Sequence, residues 1–256
     1  MTRTVGNLTV VKDPGALAQV VAACVVDVAR AAIAVEGRCA LALAGGTTPK
    51  AAYALLTAPP LRDALDWSKV SFFFGDERCV GPDDAQSNYK MAYDALLGPL
   101  GISPARIFRM RGEDEPATAA RDYATILRRE LGDEPRLDLM LLGMGPDGHT
   151  ASLFPGADPF EDDAQLVRAP FVTKLSAYRL TVTPRVINAA HLVAIATAGP
   201  QKDFYLPQPY LFFDSKRRNV LTIVLAYIRE PQAIRTLRIG PYDEFATRRT
   251  RVEFEW

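Results

Sequence analysis

Residues 137–156 read LDLMLLGMGPDGHTASLFPG, in which an apolar run passes directly into a glycine-rich loop that carries a histidine. The run is nearly continuous, with Asp138 as its one polar interruption, and this is typical of a strand buried on both faces of a parallel sheet. Gly143, Gly145 and Gly148 allow the chain to turn sharply and to bring backbone amides close to a ligand. Because open parallel sheets bind ligands at the carboxyl ends of their strands, the loop predicts a site at this edge.

His149 is the candidate catalytic residue of this loop. An imidazole titrates closer to neutral pH than other side chains, so it suits a general base. Asp147 lies two residues earlier and offers a carboxylate to orient the ring or hold a water molecule, although this spacing does not establish contact. The second histidine, His191, comes just before an apolar run, and we interpret it as a hydrogen-bonded structural residue at the start of a strand.

A second apolar run, residues 40–44, also ends in glycines and leads into a helical pattern. Thr47 or Thr48 is the expected N-cap, and Pro49 suits the first helical turn because its missing N–H would have no partner there. Amides at a helix start, next to glycines that let a ligand approach, form a phosphate seat. A glycine pair before a helix is also an ordinary tight turn, so this motif alone does not separate the two interpretations.

A third apolar run, residues 70–74, ends at Gly75 and is followed at once by Asp76, Glu77 and Arg78. A run of charges is usually a solvated loop. Here, however, three apolar runs each end in glycine and deliver polar groups to what we expect to be one edge of the sheet.

These segments together resemble the 6-phosphogluconolactonase family. The matching motifs are GGTTPK at 45–50, GDER at 75–78 followed by SNY at 87–89, GMGPDGHTASLFPG at 143–156 and RLTVT at 179–183. The resemblance covers roughly residues 13–202, and the loop with His149 is its most diagnostic part.

The resemblance implies an enzyme that hydrolyses 6-phosphogluconolactone to 6-phosphogluconate in the oxidative pentose phosphate pathway. His149 would activate water as general base, assisted by Asp147, and the amides of Gly145 and Gly148 are candidate donors to the developing oxyanion. No cofactor is implied. No metal is expected either, because the candidate carboxylates do not cluster with the histidines at ligand spacing.

The substrate's phosphate needs an anchor, and guanidinium groups bind phosphate oxygens in pairs. The resemblance assigns this role to Arg78 and Arg179, with a further contact from Lys202, three residues after Gly199. Backbone amides at the start of the predicted helix would add a neutral cradle. These amides belong to Gly46, Thr47 and Thr48.

Two alternatives remain open. Glucosamine-6-phosphate deaminases are similar in fold, but they carry an Asp-Glu-Tyr segment at the place of residues 76–78 and an Asn-Glu-Pro ending at the place of residues 152–155. A deaminase would want a second acidic group close to the histidine, so a lactonase fits better. A sugar-phosphate-binding regulator on the same fold is the non-enzymatic alternative, against which His149 with Asp147 favours catalysis.

Composition is that of an ordinary globular protein, with 256 residues, 48% hydrophobic and 23% charged. A formal net charge of +0 gives no general attraction to nucleic acid or an anionic membrane, so we expect a small-molecule partner and a monomer or weak homo-oligomer. Cys24, Cys39 and Cys79 are scattered, which indicates reduced thiols and a cytoplasmic location. Residues 16–35 are apolar but interrupted by polar residues, as in an amphipathic helix packed on a sheet.

Strand-like and helical patterns alternate along the chain. This alternation predicts a single α/β domain with a doubly wound, mostly parallel, Rossmann-like sheet and helices on both faces. Strands are expected at 8–11, 39–44, 69–74, 107–110, 137–142, 180–182, 192–197 and 219–228, and helices at 15–35, 50–56, 88–97 and 116–131.

The last part of the chain departs from the family pattern. Aromatic residues and arginines crowd residues 203–256, whereas alanine, frequent earlier, nearly vanishes. We therefore expect a lactonase-like α/β domain at 1–202 and an atypical segment at 203–256, either divergent or foreign to the fold. A foreign segment would be cut by proteases between Asp203 and Asn219 before the region around His149.

Overall fold

A computed structural model describes residues 6–154, 164–199, 221–228, 237–238 and 251–252. The strands are β1 (Gly6–Val11), β2 (Cys39–Leu43), β3 (Val70–Phe74), β4 (Asp76–Arg78), β5 (Leu139–Gly143), β6 (Val167–Arg168), β7 (Phe171–Val172), β8 (Ala177–Val182), β9 (Leu192–Gly199), β10 (Leu221–Ile228), β11 (Leu237–Arg238) and β12 (Arg251–Val252). The α-helices are α1 (Pro14–Glu36), α2 (Thr47–Leu56), α3 (Asn88–Ala92), α4 (Pro116–Leu131) and α5 (Pro184–Ile187).

Six strands form a central sheet in the order β1-β10-β9-β5-β2-β3, and every neighbouring pair in it is parallel. From β2 the chain moves outward to β3 and then returns to the other side of β2 as β5. The order therefore reverses between β2 and β5, which is where doubly wound sheets open a ligand crevice. The predicted doubly wound α/β fold is confirmed.

Alternate residues of each strand serve two separate cores, as the period of two of a strand requires. Leu41 and Leu43 pack with α1, α2 and the segment after α3. Ala40 and Ala42 pack with α4 and with side chains of β8 and α5. The second face is thus covered partly by helix and partly by a small antiparallel sheet, β4-β8-β6, to which β7 adds by pairing with β8.

Helix α1 is capped at both ends. The Asp13 side chain accepts the amide of Ala16 at 2.7 Å, and Gly37 ends the helix in the left-handed region at φ 72°. By length and composition alone α1 is long and apolar enough to cross a membrane. In the structure one face of it, including Leu17 and Val21, is buried against the sheet and α2, as the amphipathic interpretation expects.

Two local expectations are wrong, the strand at 107–110 and the N-cap of α2, and the helix expected at 88–97 is confirmed in its extent but not in its type. Residues 107–110 form no strand and make a single bridge, between Ile107 and Phe72, because the backbone leaves the sheet after a 3₁₀ turn. The expected helix at 88–97 changes after Ala92 into a π-helical turn. The N-cap of α2 is Gly46, and Thr47 and Thr48 lie inside the first turn.

Strand β10 comes from the atypical C-terminal segment. Its backbone lies between β1 and β9 in parallel register, with Val224 paired to Leu8 on one side and to Ile195 on the other. Residues 203–220 lie outside the described residues. The segment therefore contributes a strand to the interior of the central sheet.

Candidate active site

A cavity of about 230 Å³ opens at the carboxyl ends of β2, β3, β5 and β9, at the point where the strand order reverses. The loops after β2 and β5 form its walls, and the ends of β3 and β9 complete it. Five of the predicted site residues line it: Gly46, Thr47, Arg78, Gly145 and His149. Four further predicted residues are not part of the lining, and Lys202 lies outside the described residues: the four are Thr48, Asp147, Gly148 and Arg179.

The imidazole of His149 is held by its own loop. Its Nδ1 lies 2.5 Å from Oδ1 of Asp147, and since a carboxylate only accepts, Nδ1 carries the proton and donates it. The ring rests directly on Gly145, where a Cβ would come within 3.0 Å of ring atoms. Phe154 packs against the ring with the centroids 4.3 Å apart. This arrangement leaves Nε2 as the unprotonated nitrogen of a ring that lines the cavity.

The loop amides proposed as oxyanion donors are already used. The N–H of Gly145 donates to the carbonyl of His149 at 2.8 Å, and the N–H of Gly148 donates to the carbonyl of Gly145 at 3.0 Å. These two bonds, with Gly148 at φ 83°, close the loop under the histidine. In this conformation neither amide is free for a substrate, so the geometry does not support the oxyanion role that the sequence suggested for them.

Burial lowers the pKa of His149 below its usual value, and the nearby Arg78 and Arg179 lower it further. Asp76 acts in the opposite direction, because its negative charge favours the imidazolium. The net direction keeps the ring neutral around neutral pH. A neutral imidazole with a free Nε2 can accept a proton.

Two arginines stand side by side next to the cavity. Strands β4 and β8 pair antiparallel with Arg78 directly opposite Arg179, which places the two side chains on the same face. The Arg78 guanidinium donates to the carbonyl of Gln86 and lines the cavity. Burial and the charge of Arg78 lower the pKa of Arg179. Like charges held this close favour an anion that both can bind.

The start of α2 contributes a second anion-binding feature on the same cavity. Gly46 caps the helix at φ 103°, a conformation that favours glycine, and no side chain accepts the amides of the first turn. Gly46 and Thr47 line the cavity, whereas Thr48 does not. The helix dipole and these amides therefore face the same space as Arg78.

The sequence predicted that Asp76 lies at the carboxyl edge of the sheet, but it indicated no role for this residue. Its carboxylate is half-buried and lines the cavity. Oδ2 accepts a hydrogen bond from Ser152 Oγ at 2.8 Å, and Oδ1 accepts one from Asn88 Nδ2 at 3.1 Å. Burial raises its pKa. Its neighbour Glu77 is structural, because it accepts backbone amides of residues 78, 88 and 89. The GDER motif indicated that both of these acids lie at this edge. Only the fold shows that Asp76 faces the cavity and that Glu77 binds backbone amides.

One group of side chains in the described part of the chain has metal-ligand spacing, at the opposite edge of the sheet. Ligand atoms of Glu36, Asp138 and His191 lie within 4.8 Å of one another. The sequence had suggested no such cluster. The Asp138 carboxylate already accepts a hydrogen bond from the amide of Ala40 at 2.7 Å, and the Glu36 carboxylate lies 3.8 Å from the Arg38 guanidinium. Each acid therefore has a partner within the protein that does not depend on a metal.

The fold and the cavity define an α/β protein whose site lies at the switch point of a parallel sheet. The family model of glucosamine-6-phosphate isomerases and 6-phosphogluconolactonase matches residues 12–208. The chain belongs to this family, which confirms the resemblance inferred from its motifs.

Curated relatives share a large part of the chain. It is 41% identical over 165 residues to a 6-phosphogluconolactonase of Treponema pallidum, covering 63% of this chain and 68% of that one. It is 39% identical over 188 residues to a 6-phosphogluconolactonase of a Synechocystis species, covering 72% and 76%. With a probable chloroplastic 6-phosphogluconolactonase of rice the identity is 37% over 182 residues, and the chain spans 55% of that relative's length.

Solved structures of this family have a similar fold. The 6-phosphogluconolactonase from Trypanosoma cruzi superposes with a TM-score of 0.75 at 28% identity, over 88% of this chain and 95% of that one. A monomeric glucosamine-6-phosphate deaminase superposes with a TM-score of 0.73 over 90% of this chain, but at 18% identity this shows the fold alone.

Proposed function

We propose that this chain hydrolyses 6-phosphogluconolactone to 6-phosphogluconate. The observation that carries the proposal is the Asp147–His149 pair on a cavity that also has Arg78 and the open start of α2 on its wall. One side of the cavity can activate water and the other can hold a phosphate. The names of the relatives support the same reaction.

His149 acts as the general base. Its Nε2 takes a proton from water as the water oxygen forms a bond to the lactone carbonyl carbon. When the tetrahedral intermediate collapses, the bond from this carbon to the ring oxygen breaks, and the imidazolium returns the proton to that oxygen. Oδ1 of Asp147 accepts a hydrogen bond from Nδ1–H of His149, with 2.5 Å between N and O, and this bond holds the productive tautomer and stabilises the imidazolium.

Arg78 and Arg179 hold the remote phosphate, aided by the amides of Gly46 and Thr47. A phosphate anchored at a distance fixes the lactone carbonyl near the base, and this converts binding energy into positioning. We propose a further contact from Lys202. An enzyme of this kind needs no cofactor, and we propose a cytoplasmic monomer or weak homo-oligomer.

The deaminase alternative is favoured by one observation, the half-buried carboxylate of Asp76 on the cavity wall, whose pKa is raised by desolvation. Aldose–ketose isomerisation needs a base that moves a proton between neighbouring carbons, and a carboxylate can serve. Incubation with glucosamine 6-phosphate, with ammonia release as the readout, separates this activity from the lactonase. The regulator alternative predicts binding of 6-phosphogluconate without turnover of either substrate.

The direct test is a lactonase assay with freshly made 6-phosphogluconolactone, in which acid release is compared with the spontaneous rate. We expect His149→Ala to lower kcat by ~10²- to 10⁴-fold, the usual contribution of a general base. The side chain is 27% exposed, and its contacts with Asp147, Gly145 and Phe154 all lie in its own loop, so the fold is expected to persist.

His191→Ala is the matched control. His191 is exposed at the opposite edge of the sheet, and its replacement should leave the rate unchanged. If His149→Ala kept more than about half of the activity, the general-base mechanism would be wrong.

A further inference from the structure

Lys174 lies at the tip of a tight hairpin next to the catalytic loop. Strands β7 and β8 pair antiparallel, with Val172 opposite Ala177, and the chain between them makes a 3₁₀ turn over Thr173–Leu175. Ser176 closes the turn in the left-handed region at φ 48°. Such a short connection limits where the Lys174 backbone can go, and it holds this residue beside the loop of residues 143–149.

The ammonium of Lys174 forms an ion pair with Oδ2 of Asp147. The other carboxylate oxygen, Oδ1, accepts Nδ1–H of His149. Each oxygen of Asp147 is thus occupied by a different partner. The carboxylate cannot rotate toward one partner without losing the other.

A second route connects Lys174 to the histidine. Its Nζ lies 4.3 Å from the centroid of the Phe154 ring, a cation–π distance, and that ring packs against the imidazole. The contacts thus form a closed cycle, in which each residue touches the next: Lys174, Asp147, His149, Phe154 and again Lys174. We call these four residues the lysine clamp.

The clamp has two physical consequences for the base. It orients Asp147 so that Oδ1 receives Nδ1–H, which keeps Nε2 unprotonated and directed to substrate. It also offsets the negative charge of Asp147, which otherwise stabilises the imidazolium and weakens its ability to return the proton. The ring also experiences the charges of Asp76 and Arg78 on β4 and of Arg179 on β8.

We propose that Lys174 is a positioning residue of the lactonase reaction, which acts through Asp147 on His149 and does not bind the substrate phosphate. The proposal rests on the proposed function. Strand β8 then has two roles. It carries the proposed phosphate ligand Arg179, and it forms one side of the hairpin whose turn places Lys174 beside Asp147.

Lys174→Met tests the proposal, since it keeps the length of the side chain and removes its charge. We expect kcat on 6-phosphogluconolactone to fall on the order of 10-fold with little change in KM, and the acid limb of the pH–rate profile to move to higher pH. The same loss is expected with an unphosphorylated gluconolactone. Lys174→Arg should restore most of the rate.

The control is Lys69→Met. Lys69 has the same side-chain exposure as Lys174, 48%, and pairs with Asp66 at 3.9 Å far from the cavity, so its loss should change nothing. An increase in KM confined to the phosphorylated lactone would make Lys174 a phosphate ligand and overturn the proposal. An unchanged kcat and pH profile would overturn it as well.

A readout without catalysis separates this proposal from the proposed function. The chain has two histidines, so the imidazole NMR signals can be assigned with His191→Ala and titrated directly. We expect the pKa of His149 to rise in Lys174→Met. If the pKa of His149 does not rise in Lys174→Met, the proposed role of Lys174 is wrong, even if the enzyme is an active lactonase. If this pKa rises but the protein has no lactonase activity, the proposed function is wrong and the effect of Lys174 on His149 remains.

Discussion

Gly145 shows how closely the His149 ring is fitted to its loop. A Cβ on this residue would overlap the His149 imidazole, whose ring atoms are its three nearest neighbours, and Gly145 does not have a positive φ. Backbone freedom is therefore not the reason for glycine at this position. The reason is close packing of a side chain on the backbone.

We expect Gly145→Ala to displace the His149 ring and to lower kcat/KM by roughly 100-fold, because a displacement of about 1 Å costs this much in a positioned site. The midpoint of thermal unfolding should change little, since the ring can move into the cavity. Gly81→Ala is the control, because a Cβ there meets nothing within 4 Å. Equal activities of the two variants would show that the ring is not held as the structure places it.

The charge environment of His149 predicts the pH dependence. Protonation removes the base, so kcat/KM falls as pH falls through the pKa of His149, which burial holds below the usual pKa of an imidazole. Arg78→Ala removes a positive charge that disfavours the imidazolium, so the acid limb should move to higher pH. Profiles corrected for spontaneous hydrolysis at each pH measure this. A shift in the other direction would contradict the assignment of His149 as the base.

At the level of elements, the pairing of β4 with β8 creates the arginine pair that we propose as the phosphate site. Arg78 and Arg179 are about 100 residues apart in the chain and become cross-strand neighbours only in the small sheet. Removing either guanidinium should cost ~1.5–3 kcal/mol of substrate binding, which is roughly a 10- to 150-fold increase in KM.

The comparison that isolates the phosphate is an unphosphorylated gluconolactone, on which Arg78→Ala and Arg179→Ala should be almost without effect. The double variant should lose less than the sum of the two, because both side chains bind one anion. Arg38→Ala, at an exposed position on the opposite edge, is the control. Equal losses on both lactones would show that these arginines do not read the phosphate.

For the whole molecule, the position of β10 decides whether the C-terminal segment belongs to the domain. Its backbone lies between β1 and β9, and β1 has β10 as its neighbour in the sheet. A foreign segment would leave β1 without that neighbour. The described backbone instead makes this strand part of one six-stranded sheet.

Val224→Pro tests this placement. Proline removes an N–H from a strand paired on both sides, so we expect a loss of roughly 3 kcal/mol in the free energy of unfolding and loss of activity with it. Val224→Ala keeps the N–H and is the matched control. Thermal unfolding and lactonase rates that stay at the level of the control would mean that residues 203–256 lie outside the native fold.

The sequence by itself determined the architecture, the family and the edge of the sheet at which the candidate site lies. Apolar runs that end in glycine predicted parallel strands whose loops share one edge, and His149, Arg78 and the start of α2 do meet there. Helix α4 was predicted with its bounds, Pro116–Leu131, with Pro116 in its first turn. These features depend on local propensity and periodicity, which a sequence carries directly.

Tertiary structure decided what depends on contacts between distant residues. Only the fold shows that Asp76 faces the cavity while Glu77 binds backbone amides, or that the loop amides of Gly145 and Gly148 are already used. Only the fold brings Lys174 to Asp147 and inserts β10 between β1 and β9. Charge pairing and strand order are set by which segments meet in space, and local patterns of residues do not contain that information.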